Sequence, residues 1–351
     1  MKHQIRTGLL FCVLLLLASC ASTVSMLVDV EKPAAVTLPV KAQNVIIVNN
    51  AVPQPMGYGM SAPSGKYPEF DSVYVKTLKT APWQVMAETF RSLDDSKFFS
   101  DVSLYKRVLR TDNEWLAVVP VDEEIRRDFF ENENFDLLIS IDRLLFNSIG
   151  ETNKTELGKM EVAVTFSAYL RDKDEPIVHT ITDTLRAFYS DYSGTMYYNS
   201  VSSITPEEIN MAMIRQASSN LGERIGTFFA PTWKTVGRMY YIRDIPDAIS
   251  TAGYIDKGKW DEAKRIWIGE FGVEKKIIKQ ARLASNIAFA AEMNGEFDVA
   301  EEWAVKAKTF FQNASPTKHS NDIAYLEGYI KELQERQKNN LLLDKQYGIS
   351  K

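Results

Sequence analysis

The feature that most restricts the possible folds is a short motif that occurs twice in the C-terminal third of the chain. Gly258-Lys259-Trp260-Asp261-Glu262-Ala263 aligns with Gly295-Glu296-Phe297-Asp298-Val299-Ala300, 37 residues further on. A repeat of this period is typical of stacked helical hairpins, because a single hairpin cannot bury its apolar face alone. The glycine permits a tight turn, the aromatic residue fills the groove between two helices, and the alanine lets two backbones approach. The sequence therefore predicts helix-turn-helix units after residue 246.

The motif resembles the turn of tetratricopeptide repeats, whose period is about 34 residues. This resemblance assigns repeat-packing roles to six residues, which are Gly258, Trp260, Ala263, Gly295, Phe297 and Ala300. A third helix with an apolar stripe, about Asn321 to Leu343, lacks the motif and is interpreted as a cap, since terminal repeats need a polar outer surface. Two unrelated helical hairpins are the alternative interpretation.

The preceding part of the chain, residues 40–246, alternates between strand and helix patterns. Strands are expected at 44–50, 102–109, 135–146 and 233–242, the first and third of them buried, and residues 160–170 and 177–187 alternate as an antiparallel hairpin. This order predicts a mixed-sheet α/β domain, and its element order is similar to the periplasmic TolB N-terminal and CsgG-type domains. The predicted fold class is α+β: an N-terminal mixed-sheet α/β domain over 40–246, followed by a C-terminal all-α tetratricopeptide-like helical repeat domain over 247–351.

Three local signals in this region can be compared directly with a structure. Pro82 is expected in the first turn of a helix, and Thr205-Pro206-Glu207-Glu208 is typical of a capped helix start. Gly222 and Gly226 on the following helix are expected to allow close backbone approach to a sheet. Residues 49–70, with four prolines and three glycines, predict a long irregular loop that includes Tyr58.

The first twenty residues have the proportions of a secretory signal. Lys2 and Arg6 precede an apolar run of eleven residues, too short for a membrane span of about 20. The sequence Leu17-Ala18-Ser19-Cys20 resembles the bacterial lipobox, which implies a signal peptide over 1–19 and lipidation of Cys20; an ordinary signal with a chance cysteine is the alternative. Residues 20–39 are then a tether. Because no Asp follows the cysteine, the resemblance implies an outer-membrane lipoprotein that faces the periplasm.

The residue inventory contains few groups typical of catalysis. Both cysteines lie in the first twenty residues, and beyond the signal the histidines are His179, expected to be a partly buried sheet residue, and His319, expected in a solvated loop. The sequence has no phosphate-binding glycine loop, and we expect no cofactor, no metal site and no catalytic residues. A net charge of −5 argues against nucleic acid as a partner.

The whole chain resembles a family of uncharacterised Gram-negative cell-envelope lipoproteins with a C-terminal tetratricopeptide-like repeat pair. The resulting hypothesis is a lipid-anchored, non-enzymatic module that binds another envelope protein through the concave face of its repeats or through the 49–70 loop. Two alternatives stay open. One is a small-molecule receptor or enzyme with a cleft near the 49–70 loop, which would need convergent polar groups. The other is a structural subunit of an envelope assembly.

Overall fold

The computed structural model describes residues 23–60, 68–149, 156–188, 205–245 and 248–349. The chain divides into two compact units. The α/β unit comprises Pro33–Thr232 with Lys345–Lys351, and the helical unit comprises the residues up to Lys32 together with Trp233–Asp344. The expected fold class, a mixed-sheet α/β part followed by an all-helical part, is confirmed.

The α/β unit contains five strands and three helices within its described residues. They are β2 (Asn44–Asn49), α1 (Pro68–Ser96), β3 (Asp101–Val108), α2 (Glu123–Arg127), β4 (Leu137–Ile149), β5 (Glu156–Leu170), β6 (Ile177–Phe188) and α3 (Pro206–Phe229). A π-helical turn, Asp128–Asn132, directly follows α2. The predicted helix start at Thr205 is confirmed, because its side chain and that of Glu208 form a reciprocal capping box.

The five strands form one mixed sheet in the order β3-β2-β4-β5-β6. β2 is parallel to both β3 and β4, while β4, β5 and β6 are antiparallel neighbours. The expected hairpin is confirmed as β5–β6, with Phe166 opposite His179. Alternate residues of β5, from Met160 to Leu170, lie in the main core with α1 and α3. The long helices α1 and α3 therefore cover one face of the sheet, while α2 and the π-helical turn cover the second face over β2 and the start of β4.

Two expectations about the helices of this unit were wrong. Helix α1 begins at Pro68, so Pro82 lies in its interior. The buried stripe Tyr74, Leu78, Ala81 and Val85 continues through Pro82, and its burial outweighs the lost hydrogen bond. Gly222 and Gly226 approach helix α1 rather than a sheet.

The helix–helix approach is close at both glycines. A Cβ at Gly222 would lie 2.5 Å from the carbonyl oxygen of Val85, and one at Gly226 would lie 2.4 Å from Cβ of Ser92. Thr89 adds a hydrogen bond of 3.2 Å from its hydroxyl to the carbonyl oxygen of Gly222. The two glycines thus set the distance between the helices that cover the sheet.

The helical unit contains five helices and a two-stranded ribbon within its described residues. These are β1 (Thr23–Lys32), β7 (Thr232–Tyr241), α4 (Ala248–Ile255), α5 (Trp260–Val273), α6 (Ile277–Met293), α7 (Phe297–Ala314) and α8 (Ser320–Gln346). The predicted tether is therefore wrong over Thr23–Lys32, which forms a strand paired with β7. The strand expected near 233–242 exists, but it lies outside the five-stranded sheet. The observed division therefore falls between Thr232 and Trp233 and not at the predicted residue 246.

The ribbon lies against α6 and α8. Asn286 of α6 accepts from the backbone N–H of Tyr241 at 2.7 Å and donates to its carbonyl oxygen at 2.8 Å, completing a backbone-like pairing with β7. The backbone N–H of Met239 donates to the Tyr325 hydroxyl of α8 at 3.2 Å. The first helix of the second hairpin, α6, and the last helix, α8, therefore pack on a strand of this same chain.

Candidate functional site

The second face of the five-stranded sheet carries an open cleft of about 580 Å³. Its floor is formed by β4, β5 and β6, with Leu145, Ala163 and Thr182 among the floor residues. Two irregular segments form its walls: the first wall is Asn50–Met60, after β2, and the second wall is Arg110–Val121, after β3. Both walls follow the carboxyl ends of parallel strands, while the floor beneath them belongs to the antiparallel part of the sheet.

The first wall is held to β4 by Gln54 and Gly59. The side-chain amide of Gln54 is buried and makes hydrogen bonds of 2.8 Å to both the carbonyl oxygen and the N–H of Phe146. The carbonyl oxygen of Gly59 accepts from the N–H of Ser148 at 2.6 Å. Gly59 has φ +68°, and a Cβ there would lie 2.5 Å from the Phe146 oxygen, so this position requires glycine. The first wall thus supplies hydrogen-bond partners to backbone groups of β4 that lie beyond the end of β2.

The second wall is organised by two arginines. The guanidinium of Arg110 binds both carboxylate oxygens of Asp112, at 2.9 and 2.8 Å, and donates to the carbonyl oxygens of Glu114 and Ala117. Arg143 of β4 donates to the carbonyl oxygen of Leu116 at 3.1 Å. Because a bidentate pair fixes the guanidinium plane, this wall has a defined shape.

Two aromatic side chains face each other across the walls. The rings of Tyr58 and Trp115 lie 5.5 Å apart and are tilted by 51°. Tyr58 is 60% exposed and the neighbouring Leu116 is 55% exposed, although both line the cleft. Large apolar groups in a concave site usually mark a binding surface rather than a structural one.

Charge at the cleft is confined to its margin. Glu161 of β5 binds the ammonium of Lys159 at 2.6 Å, and this bond, with a weaker one from Asn147, lowers the pKa of the Glu161 carboxyl. Asp183 of β6 lies 3.7 Å from Arg224. Both carboxylates are therefore paired with a cation, and the centre of the cleft is apolar or neutral.

A buried carboxylate lies beside the second wall. Asp142 of β4 accepts from the hydroxyls of Ser140 at 2.6 Å and Ser167 at 2.5 Å, and from the amide of Asn50 at 3.2 Å. Burial raises the pKa of Asp142, and these hydrogen bonds partly offset that effect. Asn50 also donates to the carbonyl oxygen of Val119 at 2.7 Å. The cluster attaches the second wall to the sheet and does not reach the cleft lining.

The six predicted repeat-packing residues lie in the helical unit, far from this cleft in sequence. Gly258 and Gly295 have φ of +67° and +76°, the left-handed conformation that such turns require. Ala263 and Ala300 are fully buried and Trp260 nearly so, while Phe297 is half-buried under the guanidinium of Arg336. Trp260, Ala263 and Ala300 therefore belong to the core of the helical unit, and Phe297 packs against it.

The remaining sequence candidates have different environments from those expected. Cys20 and the signal lie outside the described residues, as does Tyr67 of the 49–70 loop. His179 is exposed and stacks on Phe228 at 4.7 Å, rather than being partly buried. His319 is mostly buried and bonds Asp322 at 3.0 Å, so it is not solvated.

Sequence reasoning identified the first wall but missed the second. Composition marked the loop containing Tyr58, whereas Trp115 stands in a segment with no periodic pattern. The only available signal was the combination of an aromatic residue with Arg110 and Asp112 in a long connection after a strand.

Among the described residues no group of three or more acidic, histidine or cysteine side chains could hold a metal ion. No helix in the described ranges has both the length and the apolar character of a membrane span.

A mixed five-stranded sheet with two long covering helices and an open aromatic-rimmed cleft, together with helical hairpins, defines a two-unit α+β protein. The chain belongs to the family described as domain of unknown function DUF8603, whose model matches residues 42–241. A second family, domain of unknown function DUF6340, matches residues 250–335. No curated protein matches the chain.

One solved structure with partial similarity is the hypothetical protein CT253 from Chlamydia trachomatis, determined at 1.65 Å resolution. It shares 8% sequence identity with a TM-score of 0.23, over 52% of this chain and 98% of that chain. A similarity of this size supports no conclusion about this chain.

Proposed function

We propose that this chain is a lipid-anchored cell-envelope protein that binds another envelope protein in the cleft lined by Tyr58 and Trp115. The anchor rests on the lipobox at Cys20, and the proposed location is the outer membrane, facing the periplasm. The cleft carries the proposal of a binding role, because its exposed aromatic and aliphatic residues occupy a concave surface held rigid by buried hydrogen bonds. Its margin carries paired carboxylates, and its centre carries none.

The geometry favours the α/β unit over the helical unit as the binding surface. Helices α6 and α8 pack against β7, so the surface on which helical repeats commonly hold peptides is filled by this chain. A partner would need to displace β7 before it could bind there. The cleft needs no such displacement, since Leu116 and Tyr58 are already exposed.

The chemistry of the cleft fits a polypeptide segment with an aromatic or aliphatic side chain. Such a side chain would pack against the touching rings of Tyr58 and Trp115, while the backbone of the partner could bond Thr182 on the floor or Thr184 and Asn147 beside it. The tetratricopeptide-like hairpins would then serve as a supporting body rather than as the contact surface.

A photocrosslinking experiment in intact cells tests this proposal. A photoreactive phenylalanine derivative replaces Leu116 at the cleft, and the matched control replaces Val178, which is 56% exposed on β6 of the same unit and outside the cleft lining. We expect one defined protein adduct from position 116 and none of that mass from position 178. In addition, Trp115→Ala should abolish the adduct. Equal adducts at both positions, or an adduct that persists in Trp115→Ala, would contradict the proposal.

The cleft volume also favours a second candidate, a small-molecule receptor, because drug-sized ligands occupy cavities of this order. The same experiment distinguishes the two candidates. A mass increase of a few hundred daltons on the protein itself, lost in Trp115→Ala, would indicate a small ligand rather than a polypeptide. Mass spectrometry of the N-terminal peptide separately tests the anchor, which predicts an acylated Cys20.

A further inference from the structure

The turn between α5 and α6 exposes apolar and basic side chains together. Val273 is 73% exposed and Ile277 is 36% exposed, and between them stand the exposed Lys275 and Lys276. We call residues 273–279 the tip of the helical unit. Exposed aliphatic residues interspersed with lysines are the composition of segments that lie in the headgroup region of anionic membranes.

The lysines of the tip are unfavourable for the helix that they begin. Lys276 is the N-cap of α6, and no acidic residue occupies the first turn, which contains Lys279. Cations at a helix N-terminus oppose its dipole. Glu274 offsets part of this effect by accepting from the backbone N–H groups of Lys275 and Lys276, both at 2.8 Å. An anionic surface at the tip would supply the charge that the helix lacks.

The N-terminal strand places the predicted anchor at the same end of the unit. Strands β1 and β7 have ten residues each, and Thr235 of β7 donates to Asp29 of β1 at 2.6 Å. An antiparallel pairing around this contact matches all ten residues and puts Thr23 opposite Tyr241. A parallel pairing around it would leave three residues of each strand unmatched, so we infer the antiparallel arrangement.

Contacts along β7 fix the direction of α6. Glu292 of α6 binds Arg238, and Asn286 binds Tyr241, so α6 runs antiparallel to β7. The start of α6 therefore extends beyond Tyr241, and the nine residues from Ile277 to Asn286 place the tip about 14 Å beyond it. The three residues from Cys20 to Thr23 reach at most about 10 Å in the extended form. Thr23, three residues after the proposed anchor, and the tip therefore lie at the same end of the helical unit.

Charge is distributed unequally between the two ends of the helical unit. At the tip end, Arg243 and Lys318 are also exposed, and Arg282 is paired with Asp244 at 2.8 Å. At the opposite end, where α6 ends and α7 begins, the exposed or half-buried Asp256, Asp261, Glu262, Glu296 and Asp298 outnumber Lys257, Lys259 and Lys264. The tip end is therefore the more basic of the two.

From these observations we propose that the tip docks on a membrane surface containing anionic phospholipid, next to the lipid anchor at Cys20. Val273 and Ile277 enter the headgroup region, while Lys275 and Lys276 bind phosphate groups. This inference rests on the anchor of the proposed function and does not depend on the cleft. It implies that the anchor is a short pivot and that the tip fixes the orientation of the helical unit on the membrane.

The test uses the mature, acylated chain reconstituted in phosphatidylethanolamine vesicles that contain one quarter phosphatidylglycerol. Cys12 leaves with the signal and Cys20 is acylated, so a single introduced thiol can be labelled with an environment-sensitive fluorophore. The thiol is introduced by Val273→Cys at the tip. The matched control is Leu341→Cys on α8, which is 58% exposed and lies 19 residues beyond Asp322, the α8 residue that contacts Tyr241.

We expect a blue shift at position 273, with quenching by brominated acyl chains, and neither effect at position 341. Lys275→Gln with Lys276→Gln should weaken docking by roughly fivefold per lysine, as should vesicles without phosphatidylglycerol. A chain that floats with the vesicles but gives the same emission at both positions refutes the docking and leaves the anchor intact. A chain that does not float with the vesicles refutes the anchor, and the docking with it.

Discussion

Replacing Glu292 by Gln tests whether β7 is a permanent part of the helical unit. The Glu292 carboxylate is fully buried, binds Arg238 at 2.8 Å through Nε and 2.9 Å through Nη2, and accepts from the Tyr329 hydroxyl at 2.7 Å. Arg336 also contacts it. Three elements, β7, α6 and α8, therefore meet at one carboxylate.

The expected loss of stability follows from the arginine left behind. Removing one partner of a buried ion pair usually costs about 3–5 kcal/mol, because the remaining charge is desolvated without compensation. Arg238 keeps a second bond of 2.7 Å to Glu332, whose side chain is half exposed, so the loss should lie near the lower limit, about 3 kcal/mol. Against a total stability of about 5–15 kcal/mol, this change is large.

The assay is urea unfolding combined with native-state hydrogen exchange of the amides in β7 and α6. Glu302→Gln is the matched control, since Glu302 is exposed on α7 and should change stability by no more than about 0.5 kcal/mol. Wild-type stability together with unchanged exchange in Glu292→Gln would refute the reasoning, because it would mean that the ribbon does not depend on this carboxylate.

The pH dependence gives an independent check of the same cluster. Burial alone would raise the pKa of Glu292, but the hydrogen bonds and charge of Arg238, helped by Tyr329, hold it below its usual value of 4.5. A lowered folded-state pKa means that the stabilisation is complete above pH 4.5 and is lost as the pH falls through the lower folded value. The stability difference between wild type and Glu292→Gln should therefore shrink below about pH 4.5.

Two further changes test the α/β unit, alongside the crosslinking and docking experiments above. Gly222→Ala should destabilise the protein by about 1–3 kcal/mol in thermal or urea unfolding, because the added Cβ would lie 2.5 Å from the carbonyl oxygen of Val85. The control Gly328→Ala has open space at its Cβ and should be neutral or stabilising. Equal effects of the two substitutions would contradict the close helix contact. The Asp142→Asn variant should gain stability relative to wild type as the pH rises from about 4 towards 7. The reason is that the pKa of Asp142 is raised in the folded state, so the wild-type protein loses stability as this group ionises with rising pH. A stability difference that is independent of pH would refute the raised pKa of Asp142.

Local signals in the sequence predicted the elements that depend on neighbours within a few residues. The Thr205 cap, the β5–β6 hairpin and the turns at Gly258 and Gly295 all belong to this kind, since their determinants lie within one or two turns of chain. The start of α1 failed for the complementary reason. Pro82 is a local signal of a helix start. Tertiary packing of the apolar stripe against α3 and the sheet outweighs this local preference, so the helix continues through Pro82.

Pairing between β1 and β7 joins residues more than 200 positions apart, and the sequence contains no local signal for it. Residues 23–32 alternate between side chains that pack on the helices, such as Val28 and Val30, and exposed ones, such as Leu27. This is the pattern of a half-buried strand, but the neighbouring signal peptide suggested a tether instead. The second cleft wall was missed for a similar reason, because its shape comes from hydrogen bonds of Arg110 and Arg143 and not from any apolar period.

The ribbon of β1 and β7 covers the face of the helical repeats on which such repeats commonly bind peptides. A motif such as the one at Gly258 and Gly295 predicts how helices pack on one another, but it does not predict whether their concave face is free. In this chain Asn286 pairs with the backbone of Tyr241, and Glu292 neutralises Arg238, so the face carries polar groups that are satisfied only when β7 is present. A partner at that face would have to replace both sets of bonds. Recognition in the cleft requires no such exchange, and for this reason we propose the binding role for the α/β unit and the membrane-proximal role for the helical unit.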